Sequence, residues 1–309
     1  AARISILSRL KIVSMIIPSV NGTTSQKLNA AEMTNRGIEL ELGSSLPILG
    51  NDIVWDGSFN FSYNFNRIDK LFKTTYAAYE LYDGGSSAYV QGYDANSLWA
   101  FKYAGVKNYG TEASPKWEPV VQGKGEDVYP FTAWTPGDGR DYMLNTGTKV
   151  APISIGFNSS FKIYDFNVSM LVTGKFGHVF NGFSFNYPSM AGGSALPNKA
   201  YSEVVESNSS DMVPIPTSAE ERYYFWDRFY PYLSYLVQNA NNVRLQEINL
   251  TYNVPASFLR RFSFKKASIY AQGNNQLVLT HNKYNEDPEF PLGTIKPSPA
   301  YTFGINITF

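Results

Sequence analysis

Between Ile53 and Phe65 the chain alternates without a break. Ile53, Trp55, Gly57, Phe59, Phe61, Tyr63 and Phe65 fall on one side; Asp52, Val54, Asp56, Ser58, Asn60, Ser62 and Asn64 fall on the other. A period of two marks a β-strand, whose successive side chains point to opposite faces. Strands of globular proteins cluster near about 5–6 residues, whereas crossing a bilayer at roughly 45° of tilt takes about 9–11. This run is long enough to span. Aromatic groups bunched toward one end suit the belt where rings sit at headgroup level. A long hairpin in a soluble sandwich is the competing reading of this strand taken alone.

Residues 301–309 repeat the pattern. Tyr301, Phe303, Ile305, Ile307 and Phe309 alternate with Thr302, Gly304, Asn306 and Thr308. A soluble sheet dresses its solvent side in Lys and Glu; a wide transmembrane barrel turns apolar groups to lipid and small polar ones to its lumen. The spacing Thr302-x-Gly304-x-x-Ile307-x-Phe309, ending on an aromatic residue, resembles the C-terminal insertion signal of bacterial outer-membrane proteins.

Further strands are predicted over 3–16, 34–42, 153–163, 166–172, 243–254 and 265–275, with a weaker pair at 98–106 and 116–122. Tyr164-Asp165 is a minimal turn. In 243–254 the apolar phase changes from odd (Val243, Leu245) to even (Ile248, Leu250, Tyr252, Val254), which predicts a bulge at Gln246-Glu247. The Tyr- and Trp-rich part near 222–236 reads as a short helix inside a long loop. Counted back from the C-terminus, connections alternate between short (255–264, 163–164, 107–115, 46–50) and long (276–298, 177–242, 124–149, 67–96, 17–32). Short turns on one rim and long loops on the other are the habit of outer-membrane barrels. If 98–106 and 116–122 both cross, the count is ten strands; if they form a hairpin within a loop, it is eight.

Composition narrows the chemistry. Lys plus Arg equals Asp plus Glu, 26 each, so nothing points to nucleic acid or a polybasic anchor. The absence of cysteine excludes a disulfide framework, a thiolate metal site and a cysteine nucleophile. No apolar run reaches the roughly 18 residues of a transmembrane helix, which leaves barrel strands untouched. The start, Ala1-Ala2-Arg3, reads as a processed chain or a fragment.

Several motifs then match one family in order. They are Asn35-Arg36-Gly37-Ile38-Glu39-Leu40; Val237-Gln238-Asn239-Ala240-Asn241-Asn242-Val243-Arg244-Leu245 running into Leu250-Thr251-Tyr252-Asn253-Val254-Pro255; Gly273-Asn274-Asn275-Gln276-Leu277 with Thr280; Tyr284 with Asp287-Pro288-Glu289; and Phe303-Gly304 leading to Phe309. Residues 1–309 resemble the C-terminal barrel portion of a SusC/RagA-type TonB-linked outer-membrane transporter of Bacteroidetes. The resemblance implies an all-β fold: about ten C-terminal strands of a transmembrane antiparallel barrel of 22 strands, with long extracellular loops and a periplasmic C-terminus. It implies import of glycans or peptides under a SusD-like surface lipoprotein lid, with energy from TonB. The plug, the TonB-contacting segment and the first strands are not in this chain, so another chain supplies them or the chain is a fragment. Ten strands left open would expose two edges in lipid. Where many relatives carry a calcium-like loop, Pro136 to Asn145 lacks the alternating oxygen ligands, so no calcium is expected there.

No catalytic constellation accompanies this. His178 and His281 are isolated, no G-x-S-x-G, P-loop or dinucleotide fingerprint occurs, and no metal or cofactor site is read. Asn285-Glu286-Asp287-Pro288-Glu289 reads as a solvated Asp-Pro turn rather than an acid/base pair. Ligand binding must come from loops. The candidates are Trp134, Tyr223, Tyr224, Trp226 and Asp227, flat apolar faces beside an acceptor that suit sugar rings or peptide side chains. Against this stands a packing role, loop against loop or loop against lid. The residues of the insertion signal are Thr302, Gly304, Ile307 and Phe309. The alternative to an importer subunit is a soluble or surface β-sandwich adhesion module; a passive porin is disfavoured by the motifs.

Overall fold

The computed structural model describes residues 2–16, 25–83, 89–182, 184–206, 212–215, 226–260, 264–290 and 296–309, with side chains from residue 31 onward. Eight strands form one antiparallel sheet: β1 (Ala2–Ile16), β2 (Ser25–Leu49), β3 (Ile53–Leu71), β4 (Ile153–Ile163), β5 (Phe166–Phe176), β6 (Asn242–Asn253), β7 (Lys266–Thr280) and β8 (Ala300–Thr308). Each pairs with its sequence neighbour, and the sheet stays open between β1 and β8.

Of the two strand counts, the described residues give eight. Tyr103–Asn108 and Trp117–Gln122 pair with each other and with Val128–Pro130, and Ser97–Ala100 pairs with Leu144–Thr148, all outside the main sheet. The reason is length and burial. These segments run only three to six residues, too short to cross a bilayer, and Ser97–Ala100 is buried throughout. The alternation of connections survives at eight strands. Residues 50–52, 164–165 and 254–265 join strands on one rim; 72–152, 177–241 and 281–299 join them on the other. Tyr164 takes the left-handed backbone (φ 50°) that so tight a hairpin demands.

Register aligns the apolar face into continuous rows. Leu46, Trp55, Phe161, Val168, Leu250, Ala271 and Phe303 are successive cross-strand partners from β2 to β8. Among the described residues of this face, no large apolar side chain is fully buried, and Phe303 is 77% exposed. Trp55 lies over Gly57, where a Cβ would come within 2.3 Å of its ring, and donates its indole N–H to Ser159 at 2.9 Å. Trp55, Phe59, Phe61, Phe157 and Phe303 therefore occupy an open surface and share no enclosed interior. The opposite face carries Asn60, Ser62, Ser154, Asn158, Ser160, Asn167, Ser169 and Thr173.

The predicted bulge is present: Leu171 pairs with Glu247 and Val172 with Leu245, leaving Gln246 extra. β7 accommodates it with a kink of its own, Asn275 at φ 54°, and resumes pairing at Leu277, so it runs on to Thr280 through what the sequence read as loop.

The buried core lies in the connections. Segments from 72–152 and 177–241 pack Tyr76, Leu81, Val90, Trp99, Phe101, Phe131, Phe185, Trp226, Phe229, Tyr230 and Leu233 into one cluster. Backbone bonds from Phe101 N–H to Tyr232 O and from Ser234 N–H to Phe101 O, both 2.8 Å, lace the two loops together. A second cluster folds onto the polar face: Ile68 and Met33 lie under Tyr89, and Ile68 exchanges backbone bonds with Tyr93 and Gly92.

Candidate functional site: the loop cap and its strap

Loops close over the polar face at two places, first at Ile68 and then at Arg244. Arg244 stands on the polar face of β6. Its guanidinium grips Asp287 with two bonds, one of them 3.0 Å from Nη1 to Oδ2, and its Nε lies 3.2 Å from Glu289. The two side chains are 8% and 3% exposed. Lys175, on the neighbouring strand β5, reaches Glu289 at 2.6 Å. Residues 282–290 thus form a strap pinned to the sheet wall. Its own turn is stitched by Asn282, which accepts from the Glu286 N–H at 2.8 Å and donates to the Glu286 carbonyl at 2.7 Å.

This overturns the reading of 285–289 as a solvated turn. Asp287 is buried because a guanidinium waits on the strand wall, and a desolvated charge is tolerated when its partner is held in place. The two motif stretches, Asn242-Val243-Arg244 and Asp287-Pro288-Glu289, are the two halves of one ion-pair network. Sequence reasoning passed over Arg244, although the one cation on a strand face otherwise made of Asn, Gln, Thr and Glu247 was a usable signal.

The strap is fixed at its other side to the helix Lys199–Glu206. Glu203 accepts from Lys283 Nζ at 3.2 Å and from the Tyr284 hydroxyl. The cap beneath is aromatic, and burial pushes the Tyr103 and Tyr76 phenols up to about 12. His178 sits below the ordinary imidazole range, chiefly through burial and then through nearby Lys175.

The sequence candidates are distributed unevenly. Trp226 is 1% exposed and packs against Phe131, Phe185 and Tyr230, with its ring 4.8 Å from that of Tyr230, so it holds the cap together. Asp227 is exposed on the same short helix, Trp226–Phe229. Trp134 is 71% exposed and carries the Arg228 guanidinium 3.9 Å above its ring centroid, which brings it beside that helix. Tyr79 and Tyr82 join them around a shallow cavity of about 110 Å³. Tyr223 and Tyr224 lie outside the described residues. At the closing strand, Thr302 and Gly304 occupy the polar face opposite Gln272 and Tyr270, Ile307 the apolar face, and the Phe309 ring meets Phe264 edge-on at 5.2 Å.

A sheet with apolar rows facing out, hydroxyls and amides facing in and loops closing one rim is a segment of a transmembrane antiparallel β-barrel. No family model matches the chain. It is 25% identical to the TonB-dependent receptor P3 of Formosa agariphila, over 95% of this chain and 30% of that protein. It is 24% identical to the TonB-dependent receptor SusC of Bacteroides thetaiotaomicron, over 91% of this chain and 27% of that protein. Its fold superposes over its whole length on a third of a chain of the RagAB peptide transporter (TM-score 0.68, 19% identity) and of the RagAB peptide importer in its open-open state (0.68, 16%). The chain matches the C-terminal barrel portion of SusC/RagA-type TonB-dependent receptors, and it spans about 30% of the length of the curated relatives it matches.

Proposed function

We propose that residues 1–309 form the C-terminal part of an outer-membrane, TonB-dependent nutrient importer of the SusC type, which takes up oligosaccharides or peptides beneath a SusD-like lipoprotein lid. One observation carries this reading. The loops pack on each other and fold over the polar face, while the apolar face, rich in large side chains, is left bare. An uncovered apolar surface of this extent needs hydrocarbon against it. A sandwich module would instead turn these rows inward against a second sheet.

In this reading the loop rim is extracellular and the short-turn rim, with Phe309, is periplasmic. Thr302, Gly304, Ile307 and Phe309 serve as the insertion signal. Trp134 and Asp227 offer exposed groups to substrate, Tyr223 and Tyr224 share this role by their sequence alone, and the buried Trp226 holds the helix that carries Asp227. Plug, TonB contact and the other strands come from outside these residues. The protein moves its substrate and does no chemistry on it.

Fractionation followed by uptake tests this. The chain should stay with outer membranes after alkaline and high-salt washes and leave only in detergent. Cells lacking it should lose energy-dependent accumulation of an oligosaccharide or peptide nutrient. Release without detergent would sink the membrane reading, and unchanged uptake of all such nutrients would sink the import reading.

A further inference from the structure

Two arginines stand on the bare apolar face of the sheet with nothing to hold. Arg36 pairs across the ladder with Phe65, and Arg67 lies two residues further along β3, opposite Thr34. The two are diagonal neighbours on one face, a spacing of about 7–8 Å that long side chains bridge. Both are exposed, and among the described residues neither makes an ion pair or a hydrogen bond. The anions beside them are already engaged. Glu32 accepts from Lys70 at 2.9 Å, and Asp69 accepts from the Thr34 hydroxyl. Arg67 leans toward Gly92, where even an added Cβ would lie 4.0 Å from its Nη2, so its guanidinium is open on that side. Height decides what meets this pair. From Ile53, at the short-turn rim, to Phe65, β3 climbs roughly 28 Å at about 3.3 Å per residue and about 45° of tilt, against an apolar band of about 25 Å in outer-membrane barrels. Tyr63 and Phe65, both exposed, end the aromatic run at the depth where rings sit among headgroups. Arg36 is level with Phe65 and Arg67 is one step above it, so both guanidiniums meet headgroups and not acyl chains.

We propose that Arg36 and Arg67 form a site on the outer wall of the sheet for the phosphate of an anionic lipid of the outer leaflet. The planar guanidinium fork matches two oxygens of a phosphate, and such charge-assisted pairs are stronger than neutral hydrogen bonds. Phosphate is also the anion that lipid headgroups present at this depth, where cations beside a membrane gain affinity from the surface charge. A solute passing along the polar face cannot fill the site, because the two arginines stand on the opposite side of the sheet. The stretch Asn35 to Leu40 thereby divides along its length: Ile38 and Leu40 are placed against acyl chains and Arg36 against the headgroup. The proposal rests on the membrane reading and is independent of what is imported.

Thermal unfolding of the protein as a nonionic detergent extracts it from outer membranes, washed free of lipid, tests the proposal. The probes are diphosphoryl lipid A, the same lipid with its phosphates removed, and inorganic phosphate. Diphosphoryl lipid A should raise Tm, and the other two should leave it close to its unliganded value. Arg36→Gln and Arg67→Gln should each weaken the apparent affinity for lipid A about fivefold, the scale of one cation at an anionic lipid surface, and the double variant should weaken it about twenty-five-fold. Lys107→Gln, which removes an exposed cation from the cap, should change nothing. The unliganded Tm should hold in every variant, because the arginines have no partner to lose; where the double variant does not fold, the single variants decide. The proposal falls if lipid A leaves Tm unmoved, or if the arginine variants bind it as the parent does. It falls equally if the dephosphorylated lipid stabilises as well, which would make the contact merely apolar, or if inorganic phosphate does, which would make it a free-anion site. Any of those results with detergent-dependent extraction removes the lipid site and leaves the membrane reading standing; detergent-free release removes that reading by itself.

Discussion

Arg244 illustrates how one residue ties the wall of the sheet to the loops above it. It is buried, it faces the polar side, and its partner Asp287 lies 43 positions away on the strap. Removing one member of a buried pair strands the other charge, at a cost of about 3–5 kcal/mol. Asp287→Ala should therefore free the strap. Hydrogen exchange at 282–290 should rise sharply while β6 stays protected, and Asp287→Glu should restore only part of the protection. Unchanged exchange in the alanine variant would show that Glu289, through Lys175 and Arg244, and Glu203, through Lys283 and Tyr284, hold the strap without Asp287. A second single-residue effect is steric. A Cβ at Gly304 would lie 2.4 Å from Cζ of Tyr270, whose ring folds across the polar face above it. Gly304→Ala must push that ring aside, with a penalty on the order of 1–3 kcal/mol. The fraction of protein reaching the folded, heat-resistant form should fall, and pairing the change with Tyr270→Ala should restore it. Additive losses would mean that the ring and the glycine act separately.

At the level of elements, the strands were legible where two-residue alternation was unbroken and opaque where bulges or burial intervened. Ile153–Ile163 and the bulge at Gln246 follow from apolar phase alone. The extension of β7 to Thr280 did not, because Asn274-Asn275-Gln276 carries no apolar residue and reads like a turn, when it is an interior kink with Asn275 in the left-handed region. The cap was harder still. Its order comes from contacts between loops far apart in sequence, such as Phe101 with Tyr232, which no local pattern announces. Of the candidate aromatics, sequence could not separate the exposed Trp134 from the buried Trp226. The cap also has its own pH signature. Tyr76 and Tyr103 have folded pKa values near 12, above the unfolded value of about 10. Their stabilisation is complete below about pH 10 and lost as pH rises from there toward 12. Near-ultraviolet dichroism from the cap should fade across that window, together with late tyrosinate absorbance, while the far-ultraviolet strand signal persists. Early titration of every tyrosine with an intact cap signal would show these phenols to be open to solvent.

For the molecule as a whole, the question is which face of the sheet meets hydrocarbon. β3 runs from Ile53 to Leu71, further than a bilayer requires, and its pattern reverses partway. Up to Phe65 the large apolar groups stand on the bare face. Beyond it that face carries Arg67 and Asp69, and the buried apolar residue, Ile68, has moved to the polar side under Tyr89. The reversal marks the level at which the sheet leaves lipid and becomes an ordinary soluble scaffold for the loops. The closing strand allows this to be tested with charges placed on neighbouring residues. Phe303 stands on the bare face and Thr302 on the polar face. A lysine facing lipid near the midplane costs about 2–4 kcal/mol, falling to about 0–1 near the interfaces, while one facing a watery lumen costs little. Ile305→Lys and Phe303→Lys should therefore reduce the amount of protein inserted into outer membranes, the former at least as strongly, and Thr302→Lys should leave insertion close to normal. Equal tolerance of all three would place water on both faces of the sheet, and the barrel assignment would fail with it.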